Sequence, residues 1–266
     1  MKSVVSDDAE IFYDVLGKGM PVILLHPFPT HHELWWPAAE HLATRYRVIL
    51  PDLRGHGASS PGEGPATMQK HAADLARICR NEDIDRAIFA GVSIGGYALF
   101  EFWRRHRERV AGLALCDTKA QADSSEARNT RLQSAEEVLE HGTESFIEKM
   151  IPRLFGATTL STRPDLVDTA RRFMLKMTAK GINLVQRGMA ERPDSVETLK
   201  SIAVPALIIV GDEDVLTPIA DAELMRSSLP NAQLKVVTRG GHLAVFEQAE
   251  ATGRLLRQFC DQLSGG

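Results

Sequence analysis

Short, continuous apolar runs separated by helical patterns occur along most of this chain. They include "PVILLH" from Pro21, "YRVILPDL" from Tyr46, "RAIFAGVS" from Arg86 and "VAGLALCD" from Val110. A strand that is apolar at every position must be covered on both faces, and this is typical of parallel sheets with helices on either side. The sequence therefore predicts an α/β fold with a mostly parallel sheet.

The alternation is interrupted once. Residues 121–200 contain only helical patterns, and strand-like runs return at "VPALIIVGDED" from Val204 and "AQLKVV" from Ala232, followed by a helix from about Phe246. We predict an α/β core formed by residues 1–120 and 201–266, with residues 121–200 as an inserted helical cap. Such a cap would cover the carboxyl ends of the strands, where ligands bind in open parallel sheets.

Charge and cysteine content limit the possible partners and the compartment. The 266 residues carry a formal net charge of −4, which gives no electrostatic reason to expect binding to nucleic acid or to an anionic membrane. The three cysteines are far apart in sequence and form no CxxC pair. No apolar segment approaches the roughly 20 residues that a membrane-spanning helix needs. We expect a cytoplasmic protein with no membrane association.

Ser93 lies between a predicted strand and a predicted helix, with Gly91 and Gly95 two residues away on each side. A residue at so sharp a turn adopts strained backbone angles, and side chains two positions before and after it would collide. Glycine at both positions removes that collision and exposes the serine hydroxyl. The helix that begins there directs the N–H of Ile94 toward the same point, so Ser93 is a candidate nucleophile and Ile94 a candidate oxyanion donor.

A serine nucleophile needs a base and an acid that orients the base. Asp214 follows the run "IIVG", and His242 follows a later strand and a glycine turn, which gives the order serine, aspartate, histidine along the chain. We expect Thr217 to cap the next helix and Pro218 to be its first residue. Three other acids near strand ends remain candidates for the orienting role: Asp212, Glu213 and Asp117.

The segment "LLHPFPTHHELWW" after an early strand offers a second oxyanion donor. Pro27 and Pro29 have no N–H, so Phe28 is the only donor of that triplet, and the prolines stiffen the loop around it. Of the two tryptophans that follow, we expect one to pack in the core and the other to line the acyl pocket, with Trp36 as the candidate substrate contact.

Five segments together resemble the α/β-hydrolase fold superfamily: "HPFP" at 26–29, "DLRGHGASS" at 52–60, "GVSIGG" at 91–96, "GDEDVLTP" at 211–218 and "GGH" at 240–242. The resemblance implies an eight-stranded, mostly parallel sheet with a helical cap after the sixth strand. It implies a triad of Ser93, Asp214 and His242, with Phe28 and Ile94 as oxyanion donors. One departure is Pro27, which replaces the usual glycine of the oxyanion loop.

Two further segments, "LCDTKAQADSSEAR" from Leu115 and "GMAERPDS" from Gly188, are similar to the branch of enol-lactonases, acyl-homoserine lactonases and small esterases. Serine at the turn argues against dehalogenases and epoxide hydrolases, which use aspartate there. The pair His31–His32 lacks the HxHxDH cluster of metal-dependent lactonases, so we expect no metal and no cofactor.

These observations predict a serine hydrolase that acts on small-molecule carboxylic esters or lactones, including acyl-homoserine lactones or enol-lactones. Two alternatives remain open from sequence. The same triad serves cofactor-free perhydrolases, carbon–carbon bond hydrolases and acyltransferases, and the fold can also form a non-catalytic ligand-binding module. The preferred acyl chain length and the oligomeric state are not encoded in any recognisable pattern.

Overall fold

The computed structural model describes residues 1–264, and its centre is one eight-stranded sheet. The strands lie in the order β1-β2-β4-β3-β5-β6-β7-β8. Strands β1 and β2, and β2 and β4, pair antiparallel, and every other pair is parallel. The strand bounds are β1 Lys2–Ser6, β2 Ala9–Leu16, β3 Pro21–Leu25, β4 Arg47–Pro51, β5 Ala87–Val92, β6 Val110–Cys116, β7 Ala206–Gly211 and β8 Ala232–Val237. The predicted eight-stranded, mostly parallel sheet is confirmed.

Burial along the strands explains why the apolar runs predicted this fold. Every residue of β5 and of β7 is buried, because helices cover both faces of the central sheet. In the antiparallel part of the sheet, β2 begins with buried residues alternating with exposed or partly exposed ones, as expected for a strand with one face toward solvent. The α-helices are α1 Trp36–Ala43, α2 Met68–Asn81, α3 Ile94–His106, α4 Ser125–Leu154, α5 Ala157–Thr162, α6 Pro164–Met174, α7 Ala179–Ala190, α8 Val196–Leu199, α9 Ile219–Ser228, α10 Ala244–Glu247 and α11 Ala249–Ser264.

Helices α4 to α8, which we call the helical segment (Ser125–Leu199), follow β6 and precede β7. Residues 117–205, all of which the structure describes, form no strand. The long helix α4 is interrupted at Gly142, whose φ of 82° lies in the region that glycine enters most easily. The division of the chain into a core and a cap stays a prediction.

One threonine caps a helix, and another that was expected to do so does not. Thr67 caps α2, since its hydroxyl accepts a hydrogen bond from the Lys70 N–H. The helix expected to begin at Pro218 starts one residue later, at Ile219, and Thr217 does not cap it. The Thr217 hydroxyl, which we expected to cap the helix, donates a hydrogen bond to the carboxylate of Asp214 instead.

Within residues 1–264, no helix combines the length and the apolar character that crossing a membrane requires.

Candidate active site

Ser93 occupies the turn between β5 and α3 in a strained conformation, with φ 53° and ψ −115°. Its N–H donates to the carbonyls of Cys116 and Asp117, at 3.1 Å each, which holds the turn against β6. A Cβ atom placed on Gly91 would lie 2.5 Å from the carbonyl carbon of Gly95. A larger residue at 91 would open the turn, and a Cβ atom on Gly95 would lie 2.7 Å from the carbonyl oxygen of Leu25 in β3. Both glycines of Gly-x-Ser-x-Gly therefore have a steric reason, but the two reasons differ.

Thr118 also fixes the turn, and sequence reasoning did not single it out. Its hydroxyl donates to the Ser93 carbonyl at 2.8 Å. A Cβ atom on Gly96 would come within 2.5 Å of the same hydroxyl, so the third glycine of "GVSIGG" makes room for Thr118. The extra glycine in that motif was the available signal for a close contact at this point.

His242 and Asp214 form a buried pair on loops that follow β8 and β7. Nδ1 of His242 lies 2.9 Å from Oδ2 of Asp214, and that oxygen also accepts the Thr217 hydroxyl at 2.5 Å. The other oxygen, Oδ1, accepts the N–H groups of Leu216 at 2.8 Å and Thr217 at 3.0 Å. Burial by itself would raise the pKa of Asp214, but His242 and these donors outweigh it and hold the pKa below its usual value.

The three other candidate acids have different partners. Asp212 accepts the Arg239 N–H at 2.6 Å, and Glu213 accepts the N–H of Thr158 at 2.8 Å. Asp117 accepts the Gly211 N–H at 2.8 Å, and its second oxygen has no partner among the described residues. Burial, together with the nearby charge of Asp214, raises the pKa of Asp117 far above its ordinary value. Of the four acids, Asp214 is the one whose carboxylate bonds to the imidazole.

Ser93 and His242 line the same cavity, whose volume is about 370 Å³ and whose wall also includes Phe28 from the oxyanion loop. The Ser93 hydroxyl forms no hydrogen bond with any residue from 1 to 264. Helices α4 and α7 supply much of the opposite wall. The cavity therefore lies between the carboxyl edge of the sheet and the helical segment, with the hydroxyl and the imidazole both facing a space large enough for a small molecule.

Two backbone N–H groups near Ser93 are unpaired within the described part of the chain, those of Phe28 and Ile94. Hydrogen bonds of the His26 ring hold the loop that contains Phe28. The Nε2 atom of His26 accepts the Leu53 N–H at 2.9 Å, so its Nδ1 carries the proton toward the Pro27 carbonyl at 3.0 Å. Burial lowers the pKa of His26 far below its ordinary value, which keeps the ring neutral.

Thr30 also holds this loop. Both its N–H, at 3.0 Å, and its hydroxyl, at 2.8 Å, donate to the Pro27 carbonyl. Pro27 thus fills the position where the resemblance expected glycine, and its carbonyl is the acceptor that organises the loop. His56 is fully buried, and its ring lies edge-on to Phe28 with the ring centroids 5.8 Å apart.

The structure does not bring Trp36 to the cavity, so the expectation for this residue needs correction. Trp36 is half-buried at the first residue of α1, and its indole N–H donates to Glu40 one turn later, at 3.0 Å. Trp35 is completely buried in the core, as expected for one of the two tryptophans. Phe28 is the aromatic residue of this loop that lines the cavity.

Two glutamates join the catalytic loops to the helical segment, a role that sequence reasoning assigned to neither. Glu247, only 1% exposed, accepts the N–H of Gly156 and the N–H of Gly241, each at 2.9 Å. Glu213 accepts the N–H of Thr158 at the start of α5. The contacts with Gly156 and Thr158 join residues 91 and 55 positions apart, so no local pattern could have indicated them.

One group of possible metal ligands occurs among residues 1–264: His31, His32 and Asp52, whose ligand atoms lie within 4.8 Å of one another. Nδ1 of His32 already lies 2.7 Å from Asp52, and Asp52 also accepts the N–H groups of His32 and Ala58. These hydrogen bonds engage both oxygens of the Asp52 carboxylate and hold the loop that follows β3.

The geometry agrees with what comparison with known proteins finds. Residues 20–249 match the family model described as "alpha/beta hydrolase fold". Among solved structures, the chain is similar to a thermophilic esterase from Thermogutta terrifontis, described with malate bound. The two are 38% identical, the match covers 96% of this chain and 94% of that one, and the TM-score is 0.93.

Two further relatives have lactone substrates in their descriptions. The chain is 28% identical to 3-oxoadipate enol-lactonase 1 of Acinetobacter baylyi, over 86% of this chain and 84% of that protein. A solved structure described as an N-acyl homoserine lactone degrading enzyme is 25% identical, with 97% of this chain and 100% of that one covered and a TM-score of 0.83.

Proposed function

We propose, because the chain belongs to the α/β-hydrolase fold family, that it cleaves carboxylic esters or lactones through an acyl-enzyme intermediate on Ser93. Its relatives include esterases and enol-lactonases, and the chain is a carboxylic ester hydrolase. The observation that carries the serine mechanism is the strained Ser93 hydroxyl, which shares one cavity with an imidazole already bonded to a buried carboxylate.

Each group has a role that its surroundings support. The imidazole of His242 takes the proton of Ser93 as the hydroxyl attacks the carbonyl, and then gives it to the leaving oxygen. Asp214 holds the proton of His242 on Nδ1, which leaves Nε2 free to act as the base. The unpaired N–H groups of Phe28 and Ile94 stabilise the oxyanion, and water attacks the acyl-enzyme in the second step.

The core and cap division belongs to this proposal. The helical segment supplies much of the cavity wall opposite Ser93, so we assign it the role of a cap that selects the substrate. The three cysteines are all buried and unpaired, which is compatible with the reducing cytoplasmic location predicted from the sequence.

The test is hydrolysis of p-nitrophenyl esters of several chain lengths, measured beside simple and acyl-homoserine lactones. We expect Ser93→Ala to lower kcat by several orders of magnitude while the protein stays folded. Ser134→Ala is the matched control, because Ser134 lines the same cavity but lies on α4. Near-wild-type turnover by the Ser93→Ala protein would refute the mechanism.

A competition experiment separates the alternatives that share this triad. Products are analysed with water, hydrogen peroxide and an alcohol present together, and we expect the free acid to dominate. Peracid or transferred ester as the main product would indicate a perhydrolase or an acyltransferase. Failure of an active-site serine probe to label Ser93 would favour a non-catalytic binding module.

A further inference from the structure

The cavity wall opposite Ser93 is strongly charged, which a pocket for a plain hydrocarbon chain does not require. Its lining contains three cations and two acids: Lys119, Arg131, Arg153, Asp123 and Glu126. Of the acids, Glu126 is exposed to solvent and Asp123 has a side chain only 4% exposed. The charge balance deep in the cavity therefore depends on what surrounds Asp123.

Asp123 is bound by two guanidinium groups at once. Nε of Arg131 lies 2.6 Å from Oδ2, while Arg192 binds the same carboxylate through both of its terminal nitrogens, at 2.6 and 2.8 Å. The Arg192 guanidinium also stacks on the Tyr97 ring, 4.3 Å from its centroid, and its side chain is 3% exposed. The two guanidinium groups and the one carboxylate together carry a net charge of +1. The side chain of Arg192 is 3% exposed and that of Arg131 is 24% exposed, so the unpaired positive charge lies on the Arg131 side, which lines the cavity.

Arg131 holds that excess charge at the cavity in a fixed position. Besides Asp123, it donates from Nη1 to Gln186 at 3.0 Å, while its Nη2 has no partner in residues 1–264. Lys119 and Arg153, which line the same cavity, likewise form no ion pair or hydrogen bond through their side chains with the described residues. A guanidinium that is already immobilised loses little entropy when it binds a ligand, so it favours tight and specific recognition.

We infer that Arg131, with Arg153 and Lys119 beside it, binds a carboxylate carried by the substrate, so that the enzyme prefers esters of which one half bears a second, ionised acid group. The inference rests on the proposed function and deepens it. It also gives a role to the two segments "LCDTKAQADSSEAR" and "GMAERPDS", since they contain Lys119, Asp123 and Arg192. A planar carboxylate is the anion that a fixed guanidinium matches best.

The test compares two p-nitrophenyl esters of matched shape, the glutarate monoester and the 5-methylhexanoate, which carries an isopropyl group in place of the carboxylate. The measured quantity is the ratio of kcat/KM for the charged ester to that for the neutral one, after subtraction of the spontaneous reaction. We expect Arg131→Gln to lower this ratio about tenfold, as for loss of one charge-assisted hydrogen bond. Arg153→Gln should lower it about threefold, because Arg153 is more exposed.

Two controls address long-range charge and altered packing. Arg128→Gln removes the same charge from the same helix at an exposed residue outside the cavity lining, and should leave the ratio within twofold of wild type. Arg131→Lys keeps the charge without the planar fork and should restore part of the ratio. A ratio unchanged within twofold in both Arg131→Gln and Arg153→Gln would overturn the inference.

A binding measurement separates this inference from the proposed function. Calorimetry at low ionic strength measures glutarate binding to the Ser93→Ala protein and to a Ser93→Ala/Arg131→Gln protein. Binding that weakens about tenfold in the second supports the carboxylate site even if no ester is hydrolysed, in which case the proposed function alone fails. Hydrolysis of the neutral ester with no glutarate binding would overturn the site and leave the proposed function intact.

Discussion

Replacing Asp214 by Asn tests the proposed mechanism, because the hydrogen bonds of this carboxylate determine which way the asparagine amide must face. Oδ1 of Asp214 accepts the N–H groups of Leu216 and Thr217, so the asparagine carbonyl oxygen must occupy that position. The amide NH₂ then takes the place of Oδ2, facing Nδ1 of His242. An NH₂ group can only donate there, which forces Nδ1 to accept and moves the imidazole proton to Nε2.

A proton on Nε2 blocks the base that Ser93 needs. We expect kcat for a p-nitrophenyl ester to fall by about 10³ to 10⁴, or about 4 to 5.5 kcal/mol of transition-state stabilisation. Stability should change little, by about 1 to 2 kcal/mol, because both backbone donors keep their acceptor. Urea unfolding measures that change.

Thr217→Val is the matched control, since it removes one donor to Oδ2 but keeps the carboxylate beside the imidazole. We expect its kcat to fall about tenfold at most. A folded Asp214→Asn protein that retains more than a tenth of wild-type kcat would refute the reasoning, because the imidazole could not then depend on this carboxylate for its tautomer.

Three other predictions test the scaffold around the site. Gly91→Ala should lower kcat/KM about 10²-fold by forcing the turn apart, whereas Gly253→Ala, where the nearest atom to a Cβ lies 3.8 Å away, should not; equal losses would contradict the steric argument. Glu247→Gln should cost about 2 kcal/mol in urea unfolding, because both carboxylate oxygens accept N–H groups and an NH₂ cannot; an unchanged midpoint would contradict it. Burial, aided by nearby positive charge, lowers the pKa of His71 from 6.5 to about 3, so between these values only the unfolded state binds this proton and stability falls as pH falls. His71→Leu should therefore lose about 2 kcal/mol less between pH 7 and pH 5 than wild type does, and equal losses would refute the assignment.

Features that depend on short stretches of chain were predictable from the sequence. A strand covered on both faces is apolar at every position, so the central strands were visible as continuous runs. Gly91 reflects a collision with the backbone of Gly95, four positions away, which is also local, whereas a Cβ atom on Gly95 would meet Leu25 of β3.

Features set by contacts between distant residues were not predictable in the same way. Asp117 and Asp214 both follow parallel strands that are neighbours in the sheet, so position along the chain could not separate them. Only the contact with His242, 28 residues beyond Asp214, distinguishes the two. Trp36 was predicted to contact substrate because it is close in sequence to the oxyanion loop. In the structure it is the first residue of α1 and does not line the cavity, so closeness in sequence was misleading here.

The contacts of Glu247 and Glu213 connect the loops that carry the catalytic residues with the helical segment that carries the proposed carboxylate site. Both carboxylates hold the backbone around Gly156, in the helical segment, to loops that also carry His242 and Asp214. The wall that bears Arg131 belongs to the same segment, so these anchors help to fix its distance from Ser93. A carboxylate bound at Arg131 then places only one range of ester positions against the Ser93 hydroxyl. We therefore expect the preferred substrate length to depend on these two anchors as well as on the residues that line the cavity.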